Sequence, residues 1–499
     1  MRKHIRTARM QSGGLVSQSA PAIVWFREDL RLSDNPALHA AVASHRPLIL
    51  LYIHDEETDG LRHHGGASKW WLDKSLRALA GDIEAAGAQL TLRSGKSNEV
   101  LDAVLNVTGA DAVFWNRRYD KPERDLDARI KEDLTERGID VTSYNGRLLN
   151  EPWAVETNAG GYYKVFTPYW KQARQCINAR DTYGRHKTLN GPDVDSESLD
   201  DWGLHPTKPD WSTGFDDWTP GEDGALARLE KFLDGPINGY KDKRNRPDLD
   251  WSTSGLSPHL RFGEIGPLQI WRAVHAGMEA GNIHEKDGMH FLSEVGWREF
   301  SHTLLYYNPD LATENYNDSF QHMPWRTDET ALDAWKKGQT GYPMVDAGMR
   351  QLWQTGWMHN RVRMIVASFL TKHLLLPWQE GEKWFWDTLV DADPANNSAS
   401  WQWTAGSGAD AAPYFRVFNP ISQGTKFDES GDYVRRFCPE LKDLPDKYLH
   451  APWEADKATL KKAGITLGET YPKPIVDHSA ARQRALDAYD TLKEKRDAS

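Results

Sequence analysis

The 499-residue sequence holds only two cysteines, Cys176 and Cys438. That rules out a disulfide framework and a cysteine zinc site, and it fits a reducing cytoplasm. Long apolar runs are also missing. None approaches the roughly 20 residues of a membrane span. The longest, PLILLYI at 47–53, reads as a buried strand. No G-x-G-x-x-G follows the first strand, so the dinucleotide fingerprint is absent. No H-E-x-x-H or related pattern occurs, and no metal is expected. Positive charge is not in excess: 61 Lys+Arg face 72 Asp+Glu, a net charge of -11. Any contact with nucleic acid must therefore come from a local basic patch. The first 20 residues, MRKHIRTARMQSGGLVSQSA, contain no acid and no apolar stretch of a secretory signal. They read as a disordered arm, although an organelle transit peptide has the same composition.

Tryptophan, by contrast, is plentiful: 22 residues, beside 17 tyrosines and 15 phenylalanines. These form either an aromatic-rich core or a site that stacks flat rings or moves electrons.

Along the chain, PAIVWF, PLILLYI, AQLTLRSG, ADAVFWN and IDVTSYN read as strands. Between them lie helices at SKWWLDKSLRALAGDIEAAG, NEVLDAVLNVTG and KPERDLDARIKEDLTERG. Trp71, Leu76, Leu79 and Ile83 fall near one face of the first, and Gly138 suits the end of the last. This order predicts a doubly wound parallel sheet over 21–152. The stretch 153–223 reads as an interdomain linker, its second half acidic and rich in Pro, Gly and Asp. Helical periodicity then dominates to near 405. The rest of a helical domain, 224–499, ends in an irregular tail and one last helix, SAARQRALDAYDTLKEKR.

Without a glycine loop, a pyrophosphate has to be held by hydroxyls, helix N-termini and basic groups. Tyr240 and the run Thr253, Ser254, Gly255, Leu256, Ser257 offer such donors just before a helix, or they form an ordinary helix cap. Asp391 and Asp393 sit two apart in DADPANN beside apolar helices. They need partners there, either a buried ion pair or a ligand.

Three stretches settle between these readings: TGYPMVDAGMRQLWQTGWMHNRVRMIVASFL at 340–370, DADPANNSASWQW at 391–403 and APYFRVFNPISQGTKFD at 412–428. With VWFREDLRLSDNPAL at 24–38 and YKVFTPYWK at 163–171, they resemble the photolyase/cryptochrome family over nearly the whole chain. The resemblance implies an N-terminal α/β antenna domain, a long connection and a helical domain that holds FAD. It places FAD against Tyr240, the run 253–257, Arg298, Trp357, Asn360, Arg363, Asp391, Ala392, Asp393 and Asn397, with Arg363 paired to Asp391. Asn397 corresponds to the residue facing flavin N5. A neutral amide there adds no charge to repel a reduced, anionic flavin. Plant cryptochromes carry Asp at that place, so Asn speaks for repair over signalling.

Trp401, Trp378 and Trp325 match the family's electron-hopping chain from flavin to surface. Trp297 and Trp403 match the two indoles that stack on a flipped-out pyrimidine dimer. Met364 closes that wall. Glu294 matches the acid that bonds the thymine carbonyl edges, for which it must be protonated. Asn360 can bridge flavin and base. The (6-4) enzymes carry a histidine pair where this chain has Asn360 and Met364, which points to cyclobutane dimers. Arg244, Arg361, Arg416, Gln423 and Lys426 match rim positions that contact DNA phosphates.

The implied activity is a deoxyribodipyrimidine photolyase, a monomer acting on UV-damaged DNA. The alternatives are a cryptochrome photoreceptor and a (6-4) photolyase. An antenna chromophore is expected, methenyltetrahydrofolate in preference to a deazaflavin, with Trp70, Trp71, Asn116 and Glu123 as its candidate contacts. One mode of folate binding in the family uses a Cys-Lys pair. Its places here read Ala312 and Thr313.

Overall fold

The computed structural model describes residues 19–249, 252–414 and 416–498. The basic arm expected over 1–20 lies outside the described residues, except for its last two positions.

Five strands form one sheet: β1 Ala22–Phe26, β2 Leu48–His54, β3 Leu90–Ser94, β4 Ala112–Asn116 and β5 Asp140–Tyr144. All neighbours run parallel, in the order β3-β2-β1-β4-β5. Four helices connect them: α1 Pro36–Ala43, α2 Gly66–Ala85, α3 Ser97–Thr108 and α4 Lys121–Glu136. The strands are apolar on both faces because helices cover both. Val24, Phe26 and Leu50 pack with Leu38 of α1 and Trp71 of α2. Ile23, Trp25 and Ile49 point the other way, onto Leu101 of α3 and Ile130 of α4. Chain order reverses between β1 and β4, so a crevice opens at their carboxyl ends. The short helix α1 escaped the periodicity reading. Its signal is local: Asn35 Oδ1 accepts from Leu38 N at 3.1 Å, ahead of a proline at the first helical position.

Residues 153–223 are not featureless. They contain α5, Phe166–Cys176, which packs on the helical half. Further on, Leu189 N donates to Ala86 O and Glu197 N to Leu92 O, tying the connection to α2 and β3.

The remainder is helical: α6 Glu222–Leu233, α7 Tyr240–Lys243, α8 Ser257–Arg261, α9 Pro267–Glu279, α10 Glu285–Tyr307, α11 Glu329–Lys336, α12 Pro343–Thr355, α13 Asn360–Ser368, α14 Trp378–Thr388 and α15 Pro394–Ala405. α13 continues as a π-helical turn over Phe369–His373. The tail expected to be irregular holds four short helices: α16 Pro420–Phe427, α17 Asp432–Phe437, α18 Asp446–Leu449 and α19 Lys457–Lys462. Each is too short to show a period. Caps start two of them, Asn419 for α16 and Asp456 for α19. The last helix is α20, His478–Ala498. No described helix is long and apolar enough to cross a membrane.

Two large apolar clusters fill the helical half, one around α12–α14 and one around α9 and α10, with a smaller third one beneath α20. The segment before α15 enters between the two large ones. Asp393 Oδ1 accepts from Ala395 N at 3.0 Å and Asn396 N at 2.8 Å. Pro394 follows at the first helical position. The DADPANN motif is thus a cap that turns the chain into α15, made by Asp393 and not by Asp391.

Candidate flavin and nucleic-acid site

A cavity of about 510 Å³ opens between α8, α10, α13, α14 and α15. Tyr240, Ser254, Leu256, Ser257, Arg298, Trp357, Asn360, Arg363, Asp391, Asp393 and Asn397 line it. Thr253, Gly255 and Ala392 stand behind the wall. Gly255 has φ +63°, and a Cβ there would meet Arg228 Nη1 at 2.5 Å, so the turn demands glycine. Ala392 contributes its backbone, accepting from Arg261 Nε at 2.6 Å.

The donor set fits FAD. Arg363 Nη2 donates to Asp391 Oδ2 at 2.8 Å, and Arg363 Nε to Met358 O at 2.7 Å. The other oxygen, Asp391 Oδ1, is buried without a hydrogen bond, as is Asp393 Oδ2. Buried carboxylate oxygens need donors, and a flavin imide or ribose hydroxyl would supply them. Burial opposes ionisation of Asp393, but His302, Arg298, Arg261 and Arg147 outweigh it and hold the carboxyl low. Burial pushes His302 down to about 3. Its Nδ1 lies 3.0 Å from Arg298 O and its Nε2 3.5 Å from Asp393 Oδ2. Trp357 Nε1 donates to Ser257 Oγ at 3.2 Å across the cavity mouth.

The residues expected at the lesion line the same cavity: Glu294, Trp297, Met364 and Trp403. Trp297 is held by a stack on Phe166 of α5, centroids 3.8 Å apart and planes 10° from parallel. Glu294 has a partner the sequence did not suggest. Arg244 grips it with both terminal nitrogens, Nη2 to Oε2 at 2.8 Å. Burial raises the Glu294 carboxyl, and the Arg244 charge opposes it. Arg244 is therefore engaged inside the cavity rather than free at the rim.

A second concavity, of about 670 Å³, adjoins the first. Arg416, Gln423 and Lys426 line it, beside Lys241, Arg246 and Phe427. Arg361 lines both. Arg361 thus stands between the two spaces, the first lined largely by apolar and aromatic groups and the second by basic ones.

Trp401, Trp378 and Trp325 differ in exposure. Trp401 is 2% exposed and lines the cavity, Trp378 is 0% exposed, and Trp325 is partly exposed. Trp401 lies flush on α14, where a Cβ on Gly381 would come within 2.0 Å of the ring. Trp378 Nε1 donates to Asn315 Oδ1 at 2.9 Å.

Residues 22–187 match the DNA photolyase family, and residues 291–491 match the FAD binding domain of DNA photolyase. The chain is 53% identical to a deoxyribodipyrimidine photo-lyase of Agrobacterium fabrum, covering 95% of this chain and 99% of that protein. It belongs to the DNA photolyase family. The fold agrees with that of a bacterial class III photolyase from Agrobacterium tumefaciens, with a TM-score of 0.94 at 52% identity over 97% of this chain and all of that one. Cryptochrome-1 of Arabidopsis thaliana is 38% identical, over 94% of this chain and 70% of its own length.

For this photolyase-family chain the antenna candidates separate. Trp70 and Trp71 are buried in the packing of α2, and Trp71 Nε1 donates to Glu264 at 2.9 Å. Asn116 is buried as well, and its Nδ2 donates to Asn35 Oδ1 at 2.8 Å. None of these three lines the crevice at the sheet's carboxyl end. Glu123 does line it, together with Arg27, Tyr52, His54, Arg62 and Arg118. Arg261 faces both this crevice and the flavin cavity. Arg62, Arg261 and Glu382 went unnoticed in the sequence, because their partners lie far along the chain and no local spacing marks them.

Proposed function

We propose that the protein is a light-driven lyase that splits cyclobutane pyrimidine dimers in DNA. The observation that carries this reading is the shared cavity. Flavin-holding groups, the Trp297 and Trp403 indoles and Glu294 line one space, and Arg361 joins that space to a basic groove. A base pair buried in a duplex is out of reach, so the dimer must leave the stack. The groove anchors the phosphates on either side. Trp297 and Trp403 receive the flat faces of the two pyrimidines and exclude water. Glu294 exchanges Arg244 for the carbonyl edges, a change that favours its protonated form. Reduced FAD, when bound, would supply the light-driven one-electron chemistry that opens the ring. Asn397 and Asp391 would help hold it, Asn397 toward N5 and Asp391 toward the imide edge. Trp401, Trp378 and Trp325 would relay electrons from an external reductant at the surface toward an oxidised resting flavin in light. No metal takes part.

The cryptochrome reading is weaker because position 397 is Asn and Trp403 is present. The (6-4) reading is weaker because Asn360 and Met364 offer no proton.

We place a second chromophore, methenyltetrahydrofolate in preference to a deazaflavin, in the crevice lined by Tyr52, Arg118 and Glu123. The boundaries 21–152, 153–223 and 224–499 remain our division into antenna domain, linker and flavin domain. With both cysteines free, a reducing cytoplasm is the compartment we assign.

The test offers the purified protein oligonucleotides with a single cis-syn dimer or a single (6-4) product in blue light. Repair of the first alone is expected. Repair of the second would replace this reading.

A further inference from the structure

The flavin cavity is gripped from the sheet by a contact the cofactor reading does not use. Glu382 of α14 has 2% of its side chain exposed. It receives a fork from Arg62: Nη1 to Oε1 at 2.7 Å and Nη2 to Oε2 at 2.8 Å. Arg62 comes from the segment between β2 and α2, 320 positions earlier. Its guanidinium lies 3.7 Å from the centre of the Trp386 ring. On the other side Glu382 meets the cavity wall. Asn397 Nδ2 donates to Glu382 Oε1 at 2.8 Å and to Glu382 O at 3.1 Å.

We infer that Arg62 is a positioning residue for the flavin, fixing through Glu382 which end of the Asn397 amide faces the cavity. Arginine has donors and no acceptor, so the fork from Arg62 requires both Glu382 oxygens to accept. The groups that meet Asn397 from α14 are then a carboxylate and a carbonyl. Both N–H groups of Nδ2 are spent on them, and Oδ1 is left for the cavity as an acceptor. A protonated Glu382 could donate to Oδ1, and the reversed amide would present N–H groups instead. Flavin N5 carries a hydrogen only when reduced. An acceptor beside it favours the reduced form, and a donor favours the oxidised form. The inference rests on the placement of Asn397 at N5 proposed above.

A plain tether between the two halves would use an ion pair as well, but it would not change what the flavin feels. The test compares Arg62→Ala, Glu382→Gln and Asn397→Ala as full-length, FAD-loaded proteins. Three quantities are read: the dark re-oxidation rate after photoreduction, the midpoint potential of the bound flavin, and Tm. R62A and E382Q are each expected to speed re-oxidation about fivefold, the size of one lost hydrogen bond, and to lower the potential. The double variant is expected to be no worse than either single one, because the two residues act as a unit. R62K, which keeps the charge and loses the fork, falls between R62A and the unmodified protein. If R62A moves only Tm while N397A moves rate and potential, Arg62 is a tether and the inference is overturned. If N397A moves neither, the placement of Asn397 fails and the inference fails with it. Should R62A not fold around FAD, E382Q and R62K decide: unchanged re-oxidation in both overturns the inference.

Discussion

Arg361 Nη2 donates to Asn245 Oδ1 at 2.9 Å, and the same guanidinium lies 4.7 Å from the centre of the Phe427 ring. Held from both sides, it stands on the ridge between the flavin cavity and the basic groove. A phosphate on that ridge would be bound whatever the sequence. Arg361→Ala is expected to weaken binding of damaged and undamaged DNA alike. It should lower the slope of log K against log salt by about 0.9, one phosphate contact. Filter binding at several salt concentrations measures it, and an unchanged slope would remove Arg361 from the DNA path.

Trp403→Ala takes one wall from the lesion pocket and leaves the groove intact. Loss of a stacked base costs about 1–3 kcal/mol, so affinity for dimer-containing DNA should drop about 5- to 150-fold. Affinity for undamaged DNA should hold. Trp297→Ala should lose more, because its removal also strips Phe166 of its stacking partner.

Trp401→Phe separates photoreduction from repair. Oxidised protein under blue light should stay oxidised, as followed by flavin absorption. The same variant reduced chemically should still repair. A variant that photoreduces normally would show that the route from the cavity does not begin at Trp401. The structure offers a place to look for another. Trp335 lies 6.1 Å from Trp401, and Trp384 stacks at 6.0 Å on Trp353, which is 53% exposed.

Arg363→Met leaves Asp391 buried beside an apolar chain. Breaking a buried pair by removing one partner costs about 3–5 kcal/mol. Partial exposure of Arg363 puts the value here toward the low end of that range. The protein should purify with little FAD and a reduced Tm. Full FAD content would show that Asp391 needs no such partner.

Acid should destabilise the protein early. Burial pushes both His359 and His373 down to about 3, against about 6.5 in an unfolded chain. Between those values the unfolded state binds more protons. The stability these residues contribute is complete above about pH 6.5 and is lost as pH falls toward 3. His359→Asn keeps the cap on α13 that His359 Nδ1 now provides to Arg361 N. It should flatten the fall of Tm between pH 6.5 and 4.5. An equal fall would place the acid sensitivity elsewhere.

Much of the fold could be read from local patterning. The five strands are short apolar runs between turn signals, and α2 shows its buried face in Trp71, Leu76, Leu79 and Ile83. The cavity's residues came from motif resemblance, and eleven of the fourteen cofactor positions do line it. What stayed hidden is pairing at a distance. Nothing near Arg244 announces Glu294, and nothing near Arg62 announces Glu382, since such partners are set by how helices dock. Trp70, Trp71 and Asn116 are buried, the indoles in α2 and the amide at the end of β4. A bulky indole or an amide suits a ligand or a core equally well in sequence.

The most direct measurement is repair of an oligonucleotide with one cis-syn thymine dimer by the reduced protein, in blue light and in the dark. The account predicts restoration in light only, abolished or strongly slowed by Trp403→Ala. A protein that holds FAD and photoreduces it, yet leaves the dimer intact under both conditions, would contradict it and make this chain a photoreceptor.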